Sequence, residues 1–203
     1  MEFKKVMENR RAVNNFDPEK GISDELLKEI IDLAVLAPSA FNLQPWRIIA
    51  VKTAEAKVKL FDLANKQPKI KTAPVSLIIV GDRGAYRDEN SVWDNLEAAM
   101  GNEAMIRARN AAKFLYGSTE ERQIKFSESN AGLLAMSIMY AAKGLGVDSH
   151  PMSGIDFEGI KFAFNLHPDE SVVMVIALGY HDESKPLYPR GPRKGFDEIV
   201  EIV

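Results

Sequence analysis

The sequence predicts an α+β fold in which helices wrap a sheet, and three observations carry that expectation. Helix-like and strand-like segments alternate along 203 residues, a length that suits one well-packed core and a single domain over residues 1–203. The strands are few and separated by long helical stretches, which favours α+β over a doubly wound sheet. The segments Val75–Asp82 and Val172–Tyr180 run apolar without alternation, as strands buried on both faces do.

Each element has a local reason. Phe3, Val6 and Met7 fit a short amphipathic helix ending near Asn9, and Asp17-Pro18 breaks the chain toward a turn. Ser23 is a good N-cap, followed by Asp24 and Glu25 in the first turn, where the helix dipole favours anions. Ile22 and Leu27 can form a hydrophobic staple, and Leu26, Leu27, Ile30, Ile31, Ala34 and Val35 make the apolar stripe. That helix is expected from Ser23 to Ala37, with Pro38 stopping it.

Arg47–Lys52 reads as a strand and Ala54–Asn65 as a helix. Residues 83–125 mix charge with Trp93, Met100, Met105, Phe114 and Leu115, which predicts one or two helices. Ser127–Lys143 predicts a long helix whose stretch Ala131–Ala142 is apolar on nearly every face, fit for a core or a subunit interface. Gly144 is placed to be its left-handed C′ residue. Residues 146–154 read as a turn, and Ile155–Phe164 as a short helix. The tail from His181 carries Pro186, Pro189 and Pro192 and reads as extended; its closing Ile-Val-Glu-Ile-Val suits a strand added to a sheet.

Composition excludes several functions. The net charge of −3 and the lack of a long basic run argue against nucleic acid. With no cysteine there is no disulfide, thiolate metal site or cysteine nucleophile. The three histidines, at 150, 167 and 181, are too scattered for a zinc cluster, so no metal is expected. The start lacks a signal-like apolar core, and no run reaches the roughly 20 residues of a membrane span. A cytoplasmic location with no membrane partner is the expectation. Phosphate-loop and dinucleotide-fingerprint motifs are missing, as is the Gly-x-Ser-x-Gly elbow of serine hydrolases.

Four polar islands remain. Pro38-Ser39-Ala40-Phe41-Asn42-Leu43-Gln44-Pro45-Trp46 packs short polar side chains between two prolines, equipment for gripping a flat, polar ligand. Arg10-Arg11-Ala12-Val13-Asn14 reads simply as a solvated helix end, or else as a guanidinium clamp for a phosphate. Pro189-Arg190-Gly191-Pro192-Arg193-Lys194 reads as a solubilising tail or as a second arm of that clamp. Pro151-Met152-Ser153-Gly154 can turn backbone N–H groups toward a ligand edge, while the neighbouring His150 reads more simply as a structural residue.

Taken in chain order, from Arg10-Arg11 through the 38–46 loop, Ala-Pro-Val-Ser-Leu-Ile-Ile-Val, the turn ending at Gly154 and Ala-Leu-Gly-Tyr to the basic tail, these motifs resemble the nitroreductase family over nearly the whole chain. The resemblance implies a three-layer sandwich with a mainly antiparallel sheet, in a homodimer whose C-terminal strands are exchanged. It implies FMN as cofactor and NADH or NADPH as co-substrate. Hydride would pass through flavin N5, by a ping-pong mechanism, to a nitroaromatic, quinone or similar planar acceptor. Arg10 and Arg11 would then sit at the FMN phosphate and pyrimidine edge, with Ala12 and Asn14 beside them. Pro38, Ser39, Ala40 and Asn42 would line the flavin from the other subunit. Gln67 and Lys69 match positions near the ring and ribityl chain, and Pro151, Met152, Ser153 and Gly154 would face the isoalloxazine. Arg190 and Arg193 would close on the phosphate. No catalytic acid or base is implied, because the flavin carries the chemistry. The chain departs from the pattern at Ala12, often serine; at Asn14, often a cation; and at Ser153, where some members carry glutamate. A flavin-binding sensor or carrier with little turnover is the alternative reading. A structural dimer without ligand is a third.

Overall fold

A four-stranded antiparallel sheet in the order β1-β2-β4-β3 organises the chain, whose computed structural model describes residues 2–203. The strands are β1 (Trp46–Val51), β2 (Val75–Asp82), β3 (Asp148–Met152) and β4 (Glu170–Gly179). Period two on β2 sends Val75, Leu77 and Ile79 to one face, and Ile78 and Val80 to the other. Both faces are covered, so the strand reads as one apolar run.

On one face Ile78, Val80 and Val175 pack against Leu60 of α3 (Ala54–Leu63), Ile70 of α4 (Lys69–Thr72) and Ile160 of α8 (Phe157–Ala163). On the other face Leu77, Ile79 and Ile176 meet Ile30 and Ala34 of α2 (Asp24–Ala34), together with Leu134, Ala135 and Ile138 of α7 (Glu120–Gly144). The three-layer expectation holds. The remaining helices are α1 (Phe3–Asn9), α5 (Val92–Met100), α6 (Asn102–Tyr116) and α9 (Phe196–Ile199).

The caps explain the boundaries. Ser23 Oγ accepts from the Leu26 amide at 3.1 Å, as a Ser N-cap should. Helix α7 starts two turns earlier than expected because Thr119 caps it, its Oγ1 accepting from the Arg122 amide at 3.2 Å. Its end also differs. Gly144 is still helical, and the left-handed residue is Gly146, at φ 83°. The Val147 amide reaches Ala142 O at 2.8 Å and the Gly146 amide reaches Lys143 O at 3.1 Å, which together close a Schellman motif.

One further expectation needs correction. Residues 148–152 form an edge strand paired with β4 rather than a turn, because an edge position tolerates Pro151. Two surfaces stay open within the single chain: on α7, Leu133 is 49% exposed. The tail makes no strand within the chain; it carries one helical turn, α9, with Ile199, Ile202 and Val203 exposed.

Candidate functional site

The first wall of the site grows from β3. Residues 10–14 leave α1 in extended conformation and lie parallel beside it, with Ala12 bridging Ser149. The Val13 amide donates to Ser149 O at 3.1 Å. The His150 ring closes the pair, with Nδ1 3.0 Å from Val13 O. A carbonyl can only accept, so the proton of the neutral ring sits on Nδ1. Burial, followed by the positive charge of Lys69, pushes the His150 pKa down to about 4, against the opposing effect of the Val13 bond. The ring is therefore neutral at pH 7.

The turn after β3 is held from the other side. Asn65 Nδ2 and Gln67 Nε2 both donate to Gly154 O, at 2.9 and 3.1 Å. Lys69 Nζ donates to Gln67 Oε1 at 3.1 Å, and burial lowers the pKa of its ammonium. Ser153 and Gly154 are exposed, whereas the Met152 side chain is in the core at 4% exposure. Met152 thus offers its main chain to the site, not its thioether.

The basic tail folds back onto the same wall. Arg190 Nη2 donates to Glu8 O at 2.5 Å and to Arg10 O at 3.0 Å, and Arg11 donates to Tyr188 O. Arg193 bonds only the carbonyls of Gly191 and Pro192, within its own loop. Arg10, Arg11, Gln67, Lys69, Gly154 and Arg190 thus belong to one connected neighbourhood, with Ala12 and Asn14 on its inner segment.

The second wall is the loop 38–44, and it is built differently. Phe41, Asn42 and Gln44 have φ of 53°, 55° and 47°, left-handed values that cost a non-glycine residue roughly 1 kcal/mol or more each. Three side-chain bonds to its main chain hold the loop there: Ser39 Oγ accepts from the Gln44 amide at 2.9 Å, Asn130 Oδ1 accepts from the Ala40 amide at 3.0 Å, and Asn90 Nδ2 donates to Leu43 O at 3.0 Å. Asn130 is itself buried in α7, with Nδ2 donating to Phe126 O at 2.6 Å. Phe41 meets Tyr116 edge-on at 6.2 Å. Sequence reading missed Asn130. Its signal was an amide side chain placed just ahead of an all-apolar helical run.

The two walls are anchored at different places on α7. The loop is tied to α7 at Asn130, whereas α1, which leads into the first wall, packs Phe3 on Tyr140 at 5.9 Å. Those anchors are ten residues apart on one helix, about 15 Å along its axis.

Charge pairing singles out the same wall. Of ten arginines, Arg47, Arg83, Arg87, Arg107 and Arg109 each pair with a carboxylate. Arg10, Arg11, Arg190 and Arg193 do not, although the chain carries more acidic than basic residues. Cations left without carboxylates on two converging segments suit a phosphate. Among the described residues no group of His, Asp or Glu could hold a metal ion. No helix among them is long and apolar enough to cross a membrane.

Comparison with known proteins decides the family. The nitroreductase family profile matches residues 7–180. The chain belongs to the nitroreductase family. It is 33% identical over 206 residues to MhqN of Bacillus subtilis, which bears an NAD(P)H nitroreductase name, covering 100% of this chain and 99% of that one. It is 32% identical over 180 residues to the CLA biosynthesis enone reductase of Lactiplantibacillus plantarum, covering 86% and 83%. A protein of Exiguobacterium sibiricum, solved in complex with FMN, superposes with a TM-score of 0.87 at 26% identity, over 100% of this chain and 97% of that one.

Proposed function

We propose that this nitroreductase, acting as a single domain in a homodimer, reduces planar acceptors such as nitroaromatics, quinones and enones with NADH or NADPH. Family membership supports the coarse part of this reading, an NAD(P)H-dependent oxidoreductase in an FMN-using family. The observation that carries the rest is that Arg10, Arg11 and Arg190, none with a carboxylate partner, are brought together beside β3, with Arg193 following on the same tail.

When bound, FMN would supply the hydride-transfer chemistry between NAD(P)H and the acceptor, in ping-pong order. The protein's residues do the holding. Arg10, Arg11, Arg190 and Arg193 neutralise the phosphate, with Arg10 and Arg11 also reaching the pyrimidine edge. Lys69, oriented by Gln67, sets a positive charge by the ring, where it stabilises developing negative charge. Ser153 and Gly154 present main-chain groups, with Pro151 and Met152 behind them. Pro38, Ser39, Ala40 and Asn42 close the ring from the partner chain, which supports reading the open Leu133 face of α7 as a subunit contact. Exchange of the exposed tail onto the partner's sheet fits the same dimer. The protein would work in the cytoplasm.

The test is an absorbance spectrum of the purified protein before and after anaerobic NADH or NADPH. A yellow protein that bleaches is expected; a colourless one that gains no flavin bands with added FMN contradicts the reading. Flavin bound without NAD(P)H oxidation in the presence of menadione would favour the sensor or carrier alternative, for which the departures at Asn14 and Ser153 speak.

A further inference from the structure

The arginine census leaves one residue over. Among the described residues, besides the four assigned to the phosphate, only Arg122 has no carboxylate within ion-pair distance; its Nη1 donates to Leu115 O at 3.3 Å. It lines a cavity of about 340 Å³ between α6 and α7, with Leu115, Tyr116, Lys125, Phe126, Ser129 and Asn130. Lys125, one turn along α7, is likewise without an ion pair, although Glu121 and Glu128 lie on the adjoining face. The apolar side of the cavity is an aromatic pair, Tyr116 stacked on Phe126 at 4.1 Å. The other side is Asn130, whose Oδ1 holds the Ala40 amide of the second wall. The cavity therefore adjoins the loop expected to face the flavin. It combines a flat aromatic surface with two unengaged cations.

We propose that this cavity is an acceptor subsite for flat substrates bearing a carboxylate, with Arg122 and Lys125 binding the anion while Tyr116, backed by the buried Phe126, receives the ring. Resting on the flavoenzyme reading above, the assignment adds a substrate class to it. Both cations stand on one face of a helix, three residues apart, so a carboxylate can lie between them. The ring surface gives area burial and stacking, and the charges give selectivity. Neither charge is deeply buried, so the preference is modest and weakens with salt.

The experiment compares 4-nitrobenzoate with 4-nitrobenzamide, which matches its shape without the charge. The FMN-loaded wild type is expected to favour the carboxylate in kcat/KM. The Arg122→Gln/Lys125→Gln variant is expected to lose about tenfold of that ratio, the equivalent of two partly exposed charge pairs. Calorimetric titration of 4-nitrobenzoate into the same two proteins should show a similar loss of affinity, and it reads binding whether or not turnover occurs. An unchanged ratio and affinity in the variant would overturn the proposal. So would a change confined to the NADPH-over-NADH preference, which would assign the cations to a nucleotide phosphate. A wild type that turns over the amide but shows no carboxylate preference sinks the subsite and leaves the flavoenzyme reading standing. A wild type that binds no FMN sinks that reading first.

Discussion

The two walls of the candidate site are held by opposite means. The wall of residues 10–14, β3 and 65–69 is an extension of the sheet: its parts are joined by main-chain pairing and by amides converging on Gly154 O. The loop 38–44 belongs to no sheet. It keeps three left-handed non-glycine residues in place through Ser39 and two amide side chains, the buried Asn130 and Asn90. A wall made from a sheet tolerates loss of any one bond, whereas a wall made from a strained loop concentrates its support in few side chains. The loop should therefore be the more fragile of the two to point substitution.

Asn130→Leu breaks the comparison at its most sensitive point. It strips the Ala40 amide of its acceptor while keeping the volume apolar, so a stability loss of about 1–3 kcal/mol is expected, read from the urea midpoint. FMN affinity should fall with it. If the loop were held by its own turn chemistry, both would stay near wild type.

His150→Leu makes the corresponding cut in the first wall. One neutral hydrogen bond is lost while the pairing of Ala12 and Val13 with Ser149 remains, so about 1 kcal/mol is expected. The same residue makes stability depend on pH. Its folded pKa, about 4, lies below the ordinary value of 6.5, so the unfolded chain takes up the proton first. Stability is full above pH 6.5 and declines as pH falls toward 4. Replacement by asparagine, whose Nδ2 can take the place of Nδ1, should flatten the slope between pH 6.5 and 5, where carboxylates contribute little. An equal slope in both proteins would place the titrating group elsewhere.

Gln44→Gly should have the smallest effect. It relieves a left-handed residue but loosens the unfolded chain, so the net change should stay within about 1 kcal/mol of zero. A larger loss would mean that the Gln44 side chain, 3.4 Å from Asn42 O, supports the loop as well.

The sequence was most legible where local chemistry decides structure. The span Val75–Asp82 was read to the residue, because a continuous apolar run leaves little freedom. Ser23 capped its helix as its type and position implied. The polar islands were legible as composition, and Arg10, Arg11, Arg190 and Arg193 stood out as clusters. What escaped depends on distant partners. Asp148–Met152 looked like a turn, since only pairing with β4 makes it a strand. Gly146 took the role expected of Gly144 because the helix ran one residue further. Asn130 and Arg122 gave no sequence signal strong enough, because their meaning lies in which amide or carboxylate they meet or fail to meet.

The central claim is that the walls belonging to one flavin come from two chains. Mixed dimers test it most directly. One variant breaks the first wall, Arg11→Ala with Arg190→Ala; the other breaks the loop, Ser39→Ala with Asn42→Ala. Each alone should lose FMN. Refolded together, the hybrid dimers hold one intact site and one doubly broken site, so FMN should return at one per hybrid dimer. No recovery in isolated hybrids, with both parents competent to dimerise, would contradict the account and place the whole site within a single chain.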